Sequence, residues 1–250
     1  MNIGKFCSEF EKIFPLPKRN KPTRIYSLRL KIKLGFKWTY YFCDPLKDVD
    51  GMISVRNQRL LNLAFGNLEP NEAYLEVGTW QGKSLISAML GNVARPTFAC
   101  DNFSEFKLSK DRKLDLYESF QNNLRKYNLD RYATFYNQGF ESIFSKDKLP
   151  VPVGVYFYDA AHDEKSQYLG IKLVEPFLSE KALVIVDDWR FAPDSQSYAA
   201  AGTHRAISES QHKWRMIYDL PSRYNGDRAM WWNGVAIFEF QRNGESGENT

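Results

Sequence analysis

The sequence predicts an α/β fold, a doubly wound sheet of seven mostly parallel strands that ends in an antiparallel hairpin. Three observations predict it. From about residue 50 onward, short apolar runs alternate with stretches of helical spacing, the pattern of a parallel sheet covered on both faces. Four of those runs end on a glycine loop or on aspartate, the chemistry expected at the carboxyl edge of such a sheet. The last two runs follow one another with loop and no helix between them, as in a hairpin.

The elements are expected in this order. Val55 to Phe65 reads as a helix leading to a first strand, Ala73 to Val77 (AYLEV). A glycine loop follows, then a helix carrying Leu85, Ile86, Met89 and Leu90. Thr97 to Cys100 (TFAC) is the second strand and ends on Asp101. Tyr117, Phe120, Leu124 and Tyr127 mark the next helix, and Ala133 to Asn137 (ATFYN) the third strand. Val153 to Tyr158 (VGVYFY) is the fourth strand, ending on Asp159, and Tyr168, Ile171, Val174 and Leu178 mark the helix after it. Ala182 to Val186 (ALVIV) is the fifth and runs into Asp187 and Asp188, giving the order βαβαβαβαβ. After a short helix near Thr203 to Ser210, Trp214 to Tyr218 (WRMIY) and Gly234 to Phe240 (GVAIFEF) form the edge hairpin, one strand antiparallel to the rest.

Composition bounds the function classes. A chain of 250 residues, 43% apolar and 26% charged, suits one compact domain with a full core. Cys7, Cys43 and Cys100 are odd in number and scattered, which argues against a disulfide framework and for a reducing, cytoplasmic setting. No apolar run reaches the roughly 18 residues of a membrane span, and MNIGKFCSEFEKIF mixes charge into the region where a signal peptide is apolar. Homo-oligomer formation is left open by the sequence.

The charge is uneven, and it divides the chain into residues 1–50, a basic N-terminal arm, 51–241, an α/β domain, and 242–250, a disordered tail. Residues 1–40 hold ten Lys and Arg against two Glu, a net +8, so the other 210 residues net −4 within the whole-chain +4. In SLRLKIKLGFK, Leu28, Leu30, Ile32, Leu34 and Phe36 alternate with Arg29, Lys31, Lys33 and Lys37, a half-buried strand with a basic face. That face suits peripheral contact with an anionic surface, or it is a solvated edge whose lysines discourage pairing. Nucleic acid is not an expected partner, because the charge is local and no binding motif accompanies it.

The loop Glu76-Val-Gly-Thr-Trp-Gln-Gly-Lys-Ser84 resembles a phosphate loop at first sight. It has three residues between Gly78 and Gly82 where a phosphate cradle needs four, and Glu76 repels a polyanion. Trp80 stands where a dinucleotide loop needs glycine. A ligand that welcomes Glu76 carries positive charge. S-adenosylmethionine does, and E-x-G-x-x-x-G after a first strand resembles motif I of the class I S-adenosylmethionine-dependent methyltransferases. Asp101 stands 25 residues after Glu76, where an acid can accept from both ribose hydroxyls. Asn137-Gln138-Gly139-Phe140 stands where that family contacts adenine. The resemblance covers roughly residues 50–240 and implies a Rossmann-like fold, with Glu76, Gly78, Thr79, Gly82, Ser84, Asp101, Gln138 and Asp159 around the cofactor.

Asp159, Asp187 and Asp188 are placed at the ends of neighbouring strands, and three converging acids suit Mg²⁺ or Ca²⁺. Asp159-Ala-Ala-His162 with the Asp187-Asp188 pair is similar to the metal site of magnesium-dependent O-methyltransferases, nearest to the macrocin and sugar O-methyltransferase-like group, the family 24 type. That resemblance implies Mg²⁺ on the three aspartates, His162 as base beside Asp159, and a hydroxyl of a small molecule or sugar as acceptor. Asp163 and His204 compete as bases; equally, Asp159 or Asp188 can cap the following helix and His162 can be a surface residue. Ser179-Glu-Lys181 departs from the Gly-Gly turn that the family often has there. Trp231 and Trp232 either stack on an acceptor ring or anchor the hairpin. Two other readings remain: a metal-independent methyltransferase on a different acceptor, and a non-catalytic module that binds through the basic arm.

Overall fold

Seven strands form one sheet in the order β3-β2-β1-β4-β5-β7-β6, in a computed structural model that describes residues 1–14, 44–93, 95–104, 116–189 and 197–243. Strands β1 (Ala73–Val77), β2 (Thr97–Asp101), β3 (Thr134–Asn137), β4 (Val153–Tyr158) and β5 (Leu178–Val186) run parallel. Strand β7 (Val235–Gln241) lies antiparallel between β5 and the edge strand β6 (Lys213–Leu220). The predicted hairpin is therefore present, with its second strand inserted next to β5.

The central strands are buried on both faces, as a doubly wound sheet requires. On one face, helices α1 (Ile3–Ile13), α2 (Val55–Gly66), α3 (Lys83–Met89) and α4 (Leu116–Lys126) pack around Tyr74, Phe157 and Ile185. On the other, α5 (Glu164–Val174) and α6 (Tyr198–Ser208) pack against Leu75, Tyr156 and Val184. Among the described residues, no helix is long and apolar enough to cross a membrane.

Three departures from the expected elements have local causes. No α-helix joins β3 to β4. The connection is a 3-10 turn, Phe140–Ser142, pressed onto the sheet by Phe140, Ile143 and Leu149, because β3 is short and only half covered. Leu178 starts β5 instead of closing α5, since Pro176 in the turn Glu175–Phe177 ends helical hydrogen bonding. Helix α6 begins at Tyr198, earlier than predicted, under a Ser197 cap that accepts from the Ala200 amide.

The first part of the predicted arm is core. Phe6 and Phe10, four residues apart, share one face of α1 and are wholly buried, and Phe14 follows as the residue that caps the helix. The Phe10 ring lies 4.3 Å from that of Tyr218, and Phe14 lies 5.0 Å from Trp231, joining α1 to the end of the sheet. The basic strand expected over 28–36 and the tail over 244–250 lie outside the described residues.

Candidate active site

The carboxyl ends of all five parallel strands open onto one cavity of about 320 Å³. It lies where the strand order reverses between β1 and β4, the crevice in which open α/β sheets bind ligands. Five described residues other than glycine have positive φ, and four of them, Trp80, Phe103, Asp188 and Trp232, line this cavity. Such backbone strain gathers where surrounding structure holds a functional geometry.

The glycine loop forms one end. Gly78 has φ of 84°, and a Cβ there would stand 1.9 Å from the Asp159 carbonyl oxygen, so the loops after β1 and β4 touch only because residue 78 is glycine. Gly82, at φ 88°, ends the loop as the residue before α3, and Lys83 and Ser84 open that helix. Asp101 closes the loop from β2: its Oδ2 accepts from the amides of Thr79 and Trp80 at 2.8 Å each, and Oδ1 from Phe103 at 2.7 Å. Thr79 Oγ1 and Gln138 Nε2 are buried without a hydrogen-bond partner, and both residues line the cavity. Two unpaired polar atoms in a cleft fit a ligand with polar edges, such as a nucleoside.

Glu76 is elsewhere than its charge suggested. It shares a face of β1 with Tyr74, points under α3, and is wholly enclosed without lining the cavity. The Tyr74 hydroxyl donates to its Oε2 at 2.7 Å and the Ser84 hydroxyl to its Oε1 at 2.6 Å. Burial pushes the carboxyl up to about 7, against the lowering pull of those two donors. Glu76 thus pins the loop to the helix from behind, and Gly82 likewise stands outside the cavity lining.

The acids form the other end. Asp187 is 2% exposed, while Asp159 keeps 27% of its side chain open to the cavity. Burial, then the carboxylate of Asp188, raises Asp187 well above the ordinary carboxyl value; burial, then Asp187 and Asp188, does the same to Asp159. His162 lies over them, with Nε2 3.1 Å from Asp188 Oδ2 and 3.8 Å from Asp159 Oδ1, while its Nδ1 is buried without a partner. Asp188 reaches this position through a left-handed backbone, φ 49°, which aspartate tolerates better than most residues. The all-oxygen donor set and its mutual repulsion match a hard divalent cation in chemistry. Among the described residues, though, no three His, Cys, Asp or Glu side chains are gathered to hold one.

The competing roles separate cleanly. Asp163, not Asp159 or Asp188, caps α5, accepting from the Ser166 amide. His204 packs edge-on against Trp189 and Phe238, away from the cavity lining. Trp231 is a core anchor, 3% exposed, whereas Trp232 lines the cavity. A wall that the sequence did not announce is formed by residues 44–53. Lys83 Nζ holds Asp44 Oδ2 at 2.7 Å, Lys126 and Tyr127 hold Asp48, and Asp50 to Ile53 then line the cavity. No local motif marks that contact, because its partners are 39 and 78 residues apart in the chain.

The profile of methyltransferase family 24, described as a methyltransferase domain, matches residues 75–189. No curated protein matches the chain. Among solved structures, the chain is similar to the O-methyltransferase TomG of Streptomyces achromogenes in complex with SAM, at 15% identity and a TM-score of 0.51, over 96% of this chain and 99% of that one. An O-methyltransferase from Bacillus cereus in complex with SAH is similar at 13% identity and 0.51, over 94% and 96%. A cofactor-bound protein from MTB is similar at 16% and 0.53, over 90% and 100%. At these identities the likeness establishes the Rossmann-like fold. The matched stretch runs through the glycine loop, Asp101, Gln138 and all three strand-end aspartates, so the similarity to a methyltransferase domain spans both ends of the cavity.

Proposed function

We propose that the chain moves the methyl group of S-adenosylmethionine to a hydroxyl oxygen of a small molecule or sugar, with Mg²⁺ assistance. The observation that carries the reading is the continuity of one cavity from Gly78, Asp101 and Gln138 to Asp159, Asp187, Asp188 and His162. A nucleoside seat and a proton-accepting, acid-lined end within one cleft are what an O-methyl transfer needs.

The chain's own residues divide the work. Asp101 keeps lone pairs beyond its three amide bonds and accepts from ribose hydroxyls. Gln138 Nε2 and Thr79 Oγ1 gain partners on the nucleoside. As the acceptor oxygen attacks the methyl carbon and the carbon–sulfur bond breaks, His162 Nε2 takes the hydroxyl proton, and Asp188 stabilises the imidazolium that results. Mg²⁺ on Asp159, Asp187 and Asp188 would supply the charge that lowers the acceptor's pKa. Because the sulfonium is already activated, the protein contributes chiefly orientation. A second reading, metal-independent transfer, draws on the absence of a gathered ligand group among the described residues.

The test is calorimetry with S-adenosylhomocysteine, followed by mass spectrometry of a panel of sugars and phenols incubated with S-adenosylmethionine, with and without a chelator. Binding, methylation of a hydroxyl, and at least about tenfold loss on chelation are expected. Absence of nucleoside binding would defeat the whole reading, and full turnover after chelation would select the metal-independent one.

A further inference from the structure

Trp232 lines the cavity from the loop between β6 and β7. Its backbone is left-handed, φ 58°, a strain that a bulky residue keeps only where its surroundings impose it. The main chains of Asp227 and Trp232 bond each other at 3.1 and 3.2 Å, and Asn233 Oδ1 accepts from the Gly226 amide at 2.7 Å. Asp227 is wholly buried; its carboxylate accepts from Nε and Nη2 of Arg223 at 2.6 and 2.9 Å and from the Ala229 amide at 3.0 Å. Two ties join this loop to the end of β5. The Gly234 carbonyl accepts from the Trp189 amide at 3.0 Å, and Asn57 Nδ2 donates to Asp187 Oδ1 at 3.2 Å while approaching the Trp231 carbonyl at 3.5 Å. Trp231 packs into the core against Phe10 and Phe14. Trp232 is thereby fixed at the acid end of the cavity.

The charge around the same cavity is one-sided. Among the described residues, Asp50, Asp101, Glu141, Asp159, Asp187 and Asp188 line it, and the one Lys or Arg that does, Lys83, is held by Asp44. Ionised or protonated, these acids offer an anion no counter-charge. The Arg228 guanidinium lies 5.9 Å from the centre of the Trp232 ring and outside the cavity lining. An indole held rigid in such a wall suits the flat or apolar face of a ring, and its π-system welcomes positive charge. From this geometry we infer that Trp232 sets acceptor specificity. It is the platform on which the acceptor's ring stacks, and the acceptor class is a hydroxylated ring, phenol or sugar, that is neutral or cationic and carries no phosphate or carboxylate. The inference rests on the proposed methyl transfer to a hydroxyl and is independent of the metal.

The probes are two matched series, each with a cationic, a neutral and an anionic member: tyramine, para-cresol and para-hydroxyphenylacetate, and methyl glucosaminide, methyl glucoside and methyl glucuronide. Each is titrated by ligand-observed nuclear magnetic resonance into the full chain saturated with S-adenosylhomocysteine, whose own affinity is measured by calorimetry. The series that binds names the source of the ring, and its anionic member is expected to bind at least about tenfold more weakly than the cationic one. Trp232→Leu is expected to weaken the bound probe about tenfold or more, and Trp232→Phe by no more than a few-fold. Both should leave S-adenosylhomocysteine affinity within about twofold, since the glycine loop is untouched. If Trp232→Leu does not fold, the charge order on the unaltered protein carries the test. Unchanged probe affinity in Trp232→Leu, or tightest binding of an anionic member, overturns the inference. A parallel loss of S-adenosylhomocysteine affinity marks a merely structural role and also overturns it. Failure of both series in a protein that still binds S-adenosylhomocysteine overturns the inference and leaves the methyl-transfer reading standing; failure to bind S-adenosylhomocysteine overturns both.

Discussion

The two ends of the cavity use carboxylates in opposite ways. At the nucleoside end, Glu76 and Asp101 are hydrogen-bonded by their own surroundings, Glu76 by Tyr74 and Ser84 and Asp101 by three backbone amides. At the acid end, Asp159 and Asp187 are crowded by each other and by Asp188, and burial raises both. The first end spends its charges on holding a loop in shape. The second gathers acids whose ionisation is disfavoured by burial and by one another, with His162 beside Asp188 and the Asn57 amide on Asp187. Crowded acids in a cleft are costly to a fold, so their clustering there points to function more strongly than the satisfied pair does.

Four substitutions sharpen or break this contrast. Gly78→Ala should have the largest effect, because it drives a Cβ into the Asp159 carbonyl and joins a left-handed backbone to a side chain. A loss of at least roughly 4 kcal/mol is expected by chemical denaturation, with nucleoside binding abolished; a stable variant that still binds would show that the two ends do not meet at this glycine. Glu76→Gln comes next. The folded carboxyl titrates at about 7 against 4.5 ordinarily, so the folded state holds the proton longer. Its stability contribution is complete below pH 4.5 and is lost as pH rises to about 7. Above that pH the substitution should gain about 3 kcal/mol and flatten the stability curve across this window. Equal curves for the two proteins would remove the buried-charge account of Glu76.

His162→Ala tests the other end. Turnover should fall about 100-fold or more with S-adenosylhomocysteine affinity unchanged, whereas parallel losses would make His162 part of the nucleoside seat. The smallest effect is expected from Lys83→Met, which removes the ion pair to Asp44. Asp44 keeps 29% of its side chain exposed, so water takes over part of the lost contact. About 1 kcal/mol of stability should go, together with faster nucleoside release if residues 44–53 serve as a wall; unchanged release rates would reduce that segment to packing.

Much of this was legible in the chain. Strands β1 and β4 match the predicted runs residue for residue, since a strand buried on both faces is a continuous apolar run bounded by glycine or acid. Gly78, Asp101, Gln138, Asp159, His162, Asp187 and Asp188 were named from spacing and resemblance, and all of them line one cavity. The connection after β3 departs from the expected helix because whether a segment coils into one depends on how much sheet it has to cover. The enclosure of Glu76 is hidden from the sequence for a similar reason: alternation tells which face of β1 it shares with Tyr74, and only packing tells that α3 closes over that face.

By itself, then, the sequence determined the periodicities, the breaks and the strand-end acids, because each depends on neighbours within a few residues. The tertiary structure decided which polar groups meet. It enclosed Glu76, split Trp231 from Trp232, laid residues 44–53 over Lys83 and set Asn57 against Asp187. Contacts between residues tens to more than a hundred positions apart leave no local signal, since their energy comes from burial and hydrogen bonding that exist only once the sheet has formed.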